Sequence, residues 1–234
     1  YTPELMEVEQ ITTCTMPHGL RMAPSGTHLY TNCMMDDQLV EVDTRTFEVS
    51  RRFSVAVDEE GPLEGWTPEE HAMASGPGSG PMSAKTPTCS PTWAEPSVDG
   101  SRVYVACNKA DHILELDVRG WEVLRRFPAG RAPYNLDVTP DGRLLVATLK
   151  GGAAVEFFDL ESGESLAVTP STTTVTHGVV VSPDSRYAFV SVEGVGAEPG
   201  KVDIYDLESF ERVASVEVGQ QAGGIAFWKM EPVD

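Results

Sequence analysis

The stretch Tyr134-Asn135-Leu136-Asp137-Val138-Thr139-Pro140-Asp141-Gly142-Arg143-Leu144-Leu145-Val146-Ala147-Thr148 decides the fold. Two short β-rich runs flank Thr-Pro-Asp-Gly, and an Asp-Gly pair between such runs is a strong hairpin signal, because glycine supplies the left-handed conformation that a tight turn needs. The unit recurs. Ser25-Gly26, Asp99-Gly100 and Asp184-Ser185 occupy the place of Asp141-Gly142, and the runs after the four turns end in Asn32-Cys33, Ala106-Cys107, Thr148-Leu149 and Ser191-Val192.

Working outward, each hairpin is followed by an alternating run that closes on an acid. These are Leu39 to Asp43, Ile113 to Asp117, Val155 to Asp159 and Val202 to Asp206. Period-two alternation marks a half-buried strand. A fourth strand follows at Val49 to Val55, Val123 to Pro128, Ser165 to Val168 and Val213 to Val218. Four strands per repeat with tight hairpin turns make the blade of a propeller. Gly100 to Gly142 spans 42 residues and Gly142 to Ser185 spans 43, but Gly26 to Gly100 spans 74. The excess of 32 residues is an insertion, placed at 56–90, whose Gly/Pro/Ser content predicts an extended surface loop. A smaller insertion, Gly194 to Gly200, lengthens a loop of the last complete blade.

On these residues, and most closely on Tyr134 to Thr148, the chain resembles the YVTN family of β-propeller repeats. The expected fold is all-β: one propeller domain over residues 1–234, with four complete four-stranded blades. Gly223 to Trp228 reads as the first strand of a fifth blade and Leu5 to Ile11 as the last strand of another. Propellers leave no open edge, so the expected ring has six to eight blades, seven foremost, completed by a missing N-terminal segment or a second chain. The start at Tyr1 reads as a chain processed or cut upstream. The resemblance also implies a bacterial periplasmic or cell-surface setting, and roles ranging from binding scaffold to part of an oxidoreductase.

Composition narrows the partners. Asp plus Glu number 36 against 17 Lys plus Arg, net −19, so nucleic-acid phosphates and anionic membranes are repelled. No apolar run approaches the roughly 18 residues of a membrane span. Phosphate-loop, GxSxG and HExxH motifs are absent.

Blade geometry places the unusual side chains. The start of a first strand and the end of a second strand lie on one face, here called the top, which the resemblance marks as the functional one. His18 and His177 share a repeat position beside the central channel, where the other two blades carry Thr92 and Tyr134, and two readings stand side by side for them: metal donors, or imidazoles hydrogen-bonded to the backbone of a neighbouring blade. Cys33 and Cys107 are equivalent at second-strand ends, Cys14 and Cys89 precede the first strands of the same blades, and Met16, Met34, Met35, Asp36 and Asp37 join them. The insertion adds His71, Met73 and Met82, with Glu69-Glu70-His71 read as a solvated charge run.

Thiolate, thioether and imidazole donors select copper or zinc, and the Cys, Met and His mixture favours copper. The candidate metal set is therefore His18, His177, Cys33, Met34, Cys107, Cys14 and Cys89, with His71 and Met73 as further contributors. The even cysteine count ranks another reading ahead of four-cysteine ligation: Cys14 pairs with Cys33 and Cys89 with Cys107, each closing a loop near 20 residues and contributing about 3 kcal/mol. The tryptophans Trp66, Trp93, Trp121 and Trp228 are expected to pack between blades, and Asp43, Asp117, Asp159 and Asp206 to serve as turn residues. Three functions follow: a binding scaffold whose top face takes a partner or ligand and holds a metal, an oxidoreductase with copper at the channel mouth, and a structural subunit of a larger assembly.

Overall fold

Seventeen strands and no helix make up residues 9–65 and 86–230, which are the residues that the computed structural model describes. They form four antiparallel sheets. Blade one is β1 (Pro17–Met22), β2 (His28–Cys33), β3 (Gln38–Asp43) and β4 (Glu48–Ser54), with a two-residue β5 (Gly61–Pro62) added outside β4. Blade two is β6 (Pro91–Pro96), β7 (Arg102–Cys107), β8 (His112–Asp117) and β9 (Glu122–Pro128). Blade three is β10 (Pro133–Val138), β11 (Leu144–Leu149), β12 (Ala154–Asp159) and β13 (Ser165–Pro170). Blade four is β14 (Val175–Val181), β15 (Tyr187–Glu193), β16 (Lys201–Asp206) and β17 (Arg212–Glu217). The first strands β1, β6, β10 and β14 lie side by side in that order, so the sheets radiate as propeller blades.

Turn chemistry explains why the repeats fold alike. Gly26, Gly100 and Gly142 take φ of 70°, 70° and 73°, and Ser185 is held at 58° in the blade that lacks the glycine. Around three of the four turns a hydroxyl two residues before the acid is tied to it: Ser97 to Asp99 at 2.6 Å, Thr139 to Asp141 at 2.6 Å and Ser182 to Asp184 at 2.5 Å. The third-strand acids do the same at the next turn, where Asp43 accepts from the Arg45 N–H, Asp117 from Gly120, Asp159 from Ser162 and Asp206 from Ser209. They are the turn residues that the sequence predicts.

The core consists of the layers between blades. Leu39 and Phe53 meet Leu114, Leu116 and Trp121 between blades one and two. Ile113 and Phe127 meet Leu136 and Phe158 in the next layer, and Val155 and Phe157 meet Val179 and Tyr205 in the third. Polar latches cross the same layers. Arg51 lies 4.0 Å above Trp121 and donates to the Val118 carbonyl, while Arg125 donates to the Leu160 carbonyl and Thr169 to that of Phe210.

Three details differ from the sequence reading. The insertion begins by pairing β5 with β4 instead of leaving the sheet at once. Residues 223–228 carry no strand. They nevertheless lie along blade four, with Phe227 6.3 Å from Phe189, and Trp228 is 88% exposed rather than packed. Of the strand expected at Leu5 to Ile11, residues 5–8 lie outside the described residues and 9–11 carry no strand. Blade four also exposes its far face. Phe189, Val202 and Ile204 are half-buried and Val216 is 53% exposed, whereas Tyr30, Leu39 and Phe53 at the matching places of blade one are buried by blade two.

Candidate functional site

The registers confirm the placement of the top face: Pro17 pairs with Cys33, Pro91 with Cys107, Pro133 with Leu149 and Val175 with Glu193. A β-bulge interrupts every first strand at the same point, between His18 and Leu20, Pro91 and Trp93, Pro133 and Leu136, and Thr176 and Val179. A bulge bends its strand and re-aims a side chain. Here it directs His18, Thr92, Tyr134 and His177 at one another around the channel mouth.

A belt of hydrogen bonds fixes these residues. His18 Nδ1 lies 2.6 Å from the Thr92 carbonyl, Thr92 donates its hydroxyl to the Tyr134 carbonyl at 2.7 Å, and Thr148 donates to the His177 carbonyl at 2.7 Å. Ser191 donates to the Gly223 carbonyl, which places Gly223 where a fifth bulge residue would sit. A carbonyl only accepts, so Nδ1 of His18 carries the proton and Nε2 accepts from the Tyr134 hydroxyl, 2.9 Å away.

The Tyr134 ring stands between the two histidines, 5.3 Å from the His18 ring and 4.7 Å from that of His177. The Lys150 ammonium lies 4.2 Å from the Tyr134 ring centroid, and Glu193 approaches His177 Nε2 at 3.4 Å and Lys150 at 3.9 Å. His177 Nδ1 is buried beside the Gly223 backbone. Burial, then the Lys150 cation, hold the His177 imidazolium pKa below its ordinary value, so His177 is neutral at pH 7. Burial and the Glu193 charge push the Tyr134 phenol up. Lys150 and Glu193 fall at one repeat offset, the one Met34 and Asn108 occupy in the first two blades. That offset was the available signal, and sequence reasoning passed over both residues because neither is a soft ligand.

Gly19, beside His18, is set by the next blade. At φ +63° a Cβ there would stand 2.8 Å from the Thr92 carbonyl and 2.8 Å from Trp93 Cε3. Gly19→Ala is expected to lose about 2–3 kcal/mol from backbone strain and displaced packing. Urea unfolding measures it, and a midpoint equal to wild type would refute the close approach.

Below the mouth, three residues further along each strand, the channel carries Arg21, Glu95 and Asp137. Arg21 Nε is 2.8 Å from Glu95, its guanidinium lies 4.4 Å above Trp93, and Trp93 Nε1 donates to Glu95 at 3.2 Å. Asp137 accepts from the Val181 N–H at 2.6 Å. Burial, then the Asp137 charge, push Glu95 up to about 8, and burial raises Asp137 to about 6. Sequence reasoning missed this row, since ionisable residues of opposite sign do not stand out on separate repeats.

Both disulfides form as the even count predicts, Cys14–Cys33 and Cys89–Cys107, and no cysteine among the described residues is free. Oxidised sulfur offers no thiolate, so Cys14, Cys33, Cys89 and Cys107 serve as staples in this state and not as the metal ligands of the candidate set. Among the described residues the group of three His, Cys, Asp or Glu ligand atoms close enough to share an ion is Cys14, Cys33 and Asp36, and two of its atoms are in the bridge. Asp37 is buried and holds the Thr88 and Ser90 N–H groups, which makes it structural. Met34 donates its backbone N–H to the Met16 carbonyl and is half-buried, while Met16 and Met35 are exposed. His71, Met73, Met82 and Trp66 lie outside the described residues.

No protein-family model and no curated protein sequence matches the chain. Among solved structures it is similar to hydrazine synthase of Kuenenia stuttgartiensis, with a TM-score of 0.69 and 18% identity over 94% of this chain and 53% of that one. The chain thus spans about half of that protein's length, and at this identity the likeness supports the propeller fold alone.

Proposed function

We propose that this chain is a binding propeller whose channel mouth holds a metal ion, copper favoured, between His18 and His177. The observation that carries the reading is the state of the two imidazoles. His18 Nδ1 is turned to the Thr92 carbonyl at 2.6 Å, and His177 Nε2 lies 3.4 Å from the Glu193 carboxylate. Metal-binding histidines are oriented in this way, and an ion at His18 Nε2 would take the place of the Tyr134 hydroxyl that now donates to it. With the sulfurs bridged, the remaining donors are nitrogen and oxygen, a set that suits copper(II) better than copper(I).

The two bridges support an oxidising compartment, and the periplasm or cell surface is the setting proposed from the repeat's resemblance. The uncovered face of blade four supports a ring completed by further blades, six to eight in all, from another part of a longer chain or from a second one. Elemental mass spectrometry on protein purified from an oxidising compartment tests the metal. About one copper per chain is expected, lost when His18 and His177 are both changed to Gln. Metal-free wild-type protein, or copper retained by that variant, would defeat the reading.

A further inference from the structure

We propose that the Cys14–Cys33 bridge is a redox-released clasp: a dithiol reductant opens it in the folded protein and frees residues 9–16 from blade one, while Cys89–Cys107 stays closed. The two bridges have sequence separations of 19 and 18, so loop length does not distinguish them. Access does. Thiol–disulfide exchange needs a thiolate to reach one of the two sulfurs. Cys14 is half-buried, whereas Cys33, Cys89 and Cys107 are 0% exposed. The second bridge lies in the layer between blades one and two, with Leu39, Phe53 and Trp121. Cys14 is therefore the bridged cysteine that a thiolate in solvent reaches without separating two blades.

The segment that Cys14 holds is lightly tied. Residues 9–16 carry no strand. Their hydrogen bonds include the Thr15 N–H to Asp36 at 2.8 Å, the Arg52 guanidinium to the Thr13 carbonyl at 2.7 Å, and the Met34 N–H to the Met16 carbonyl at 3.3 Å. Hydrogen bonds that water can replace add little net stability. Ile11 and Cys14 pack on Cys33, Val40 and Val42, a cluster separate from the layers between blades, so release uncovers that patch and leaves the layers intact. In the opening step the reductant's thiolate attacks Cys14 Sγ, the S–S bond breaks, and its electron pair goes to Cys33, which takes a proton. The reductant's second thiol then closes on the mixed disulfide and releases Cys14 as a thiol. The reductant leaves as a disulfide, and the protein has gained two electrons and two protons. The Asp36 carboxylate, within 4.8 Å of both sulfurs, disfavours a thiolate there and slows opening and reclosure alike.

The test treats the oxidised full chain with dithiothreitol in the absence of denaturant, alkylates free thiols at intervals and locates the label by peptide mass spectrometry. Label on Cys14 and Cys33 is expected at least about tenfold sooner than on Cys89 and Cys107, which wait for the blade layer to open. Hydrogen exchange on the protein that has lost only the first bridge reads the release. The Thr15 and Met34 amides should exchange faster, while Lys109 and Lys150, whose N–H groups make the bond equivalent to that of Met34 in blades two and three, keep their protection. No label without denaturant, or equal labelling of both bridges, overturns the proposal. Label on Cys14 and Cys33 with Thr15 and Met34 still protected also overturns it, since the bridge would then be a plain staple with one accessible sulfur.

Discussion

Replacing Arg21 with Met is expected to cost about 3–5 kcal/mol of stability at pH 8 and much less at pH 5. Arg21 is the cation facing two buried carboxylates, Glu95 on the neighbouring first strand and Asp137 on the one after. The other groups against them are the Trp93 indole N–H and the Val181 and Val138 backbone N–H groups, all neutral. Both carboxyls are raised above their ordinary range, Glu95 to about 8 and Asp137 to about 6, so the folded state holds protons that the unfolded chain has released. The sign follows. Their contribution is fully present below the ordinary carboxylate range and declines as pH rises through 6 and 8.

Without Arg21, burial of the ionised pair becomes costly at pH 8, while at pH 5 both groups are neutral and the loss shrinks to the stacking on Trp93. Glu95→Gln should act in the opposite direction, removing the acid whose charge Asp137 repels, so that its stability relative to the wild type is higher at pH 8 than at pH 5. Urea unfolding of the three proteins at both pH values measures this. Equal losses for Arg21→Met at pH 5 and pH 8 would show that the row is not coupled through charge.

Removing the Cys89–Cys107 bridge by a double change to Ala should cost about 3–5 kcal/mol, more than removing Cys14–Cys33. Loop closure treats the two alike, with sequence separations of 18 and 19. Surroundings separate them. Cys89 and Cys107 are both fully buried in the layer between blades one and two, against residues such as Leu39, Phe53 and Trp121, so their loss also loosens that interface. Cys14 is half-buried at the start of blade one. Asp37 already ties Thr88 and Ser90 to blade one, so the Cys89 bridge fixes the point at which the insertion re-enters the fold. Thermal unfolding with and without a reductant, beside a free-thiol count, reads the effect. A melting temperature unmoved by complete reduction would contradict it.

The repeat itself determined the fold. Asp-Gly turns and period-two runs are local signals, and a hairpin is a local structure, so four blades with strand ends within about two residues were readable from one sequence. Equivalence between repeats carried the reading further: it placed His18 with His177 and paired the cysteines correctly, because residues at one repeat offset occupy one place in every blade. Only the tertiary structure decided what the blades do to one another. The bulges that turn Tyr134 between the histidines, the partners that fix each imidazole tautomer, and the meeting of Arg21 with Glu95 and Asp137 are contacts between different blades. A repeat records its own alternation and turns, but charge pairing and burial across the channel depend on the angle and spacing of neighbouring sheets, which no single repeat encodes.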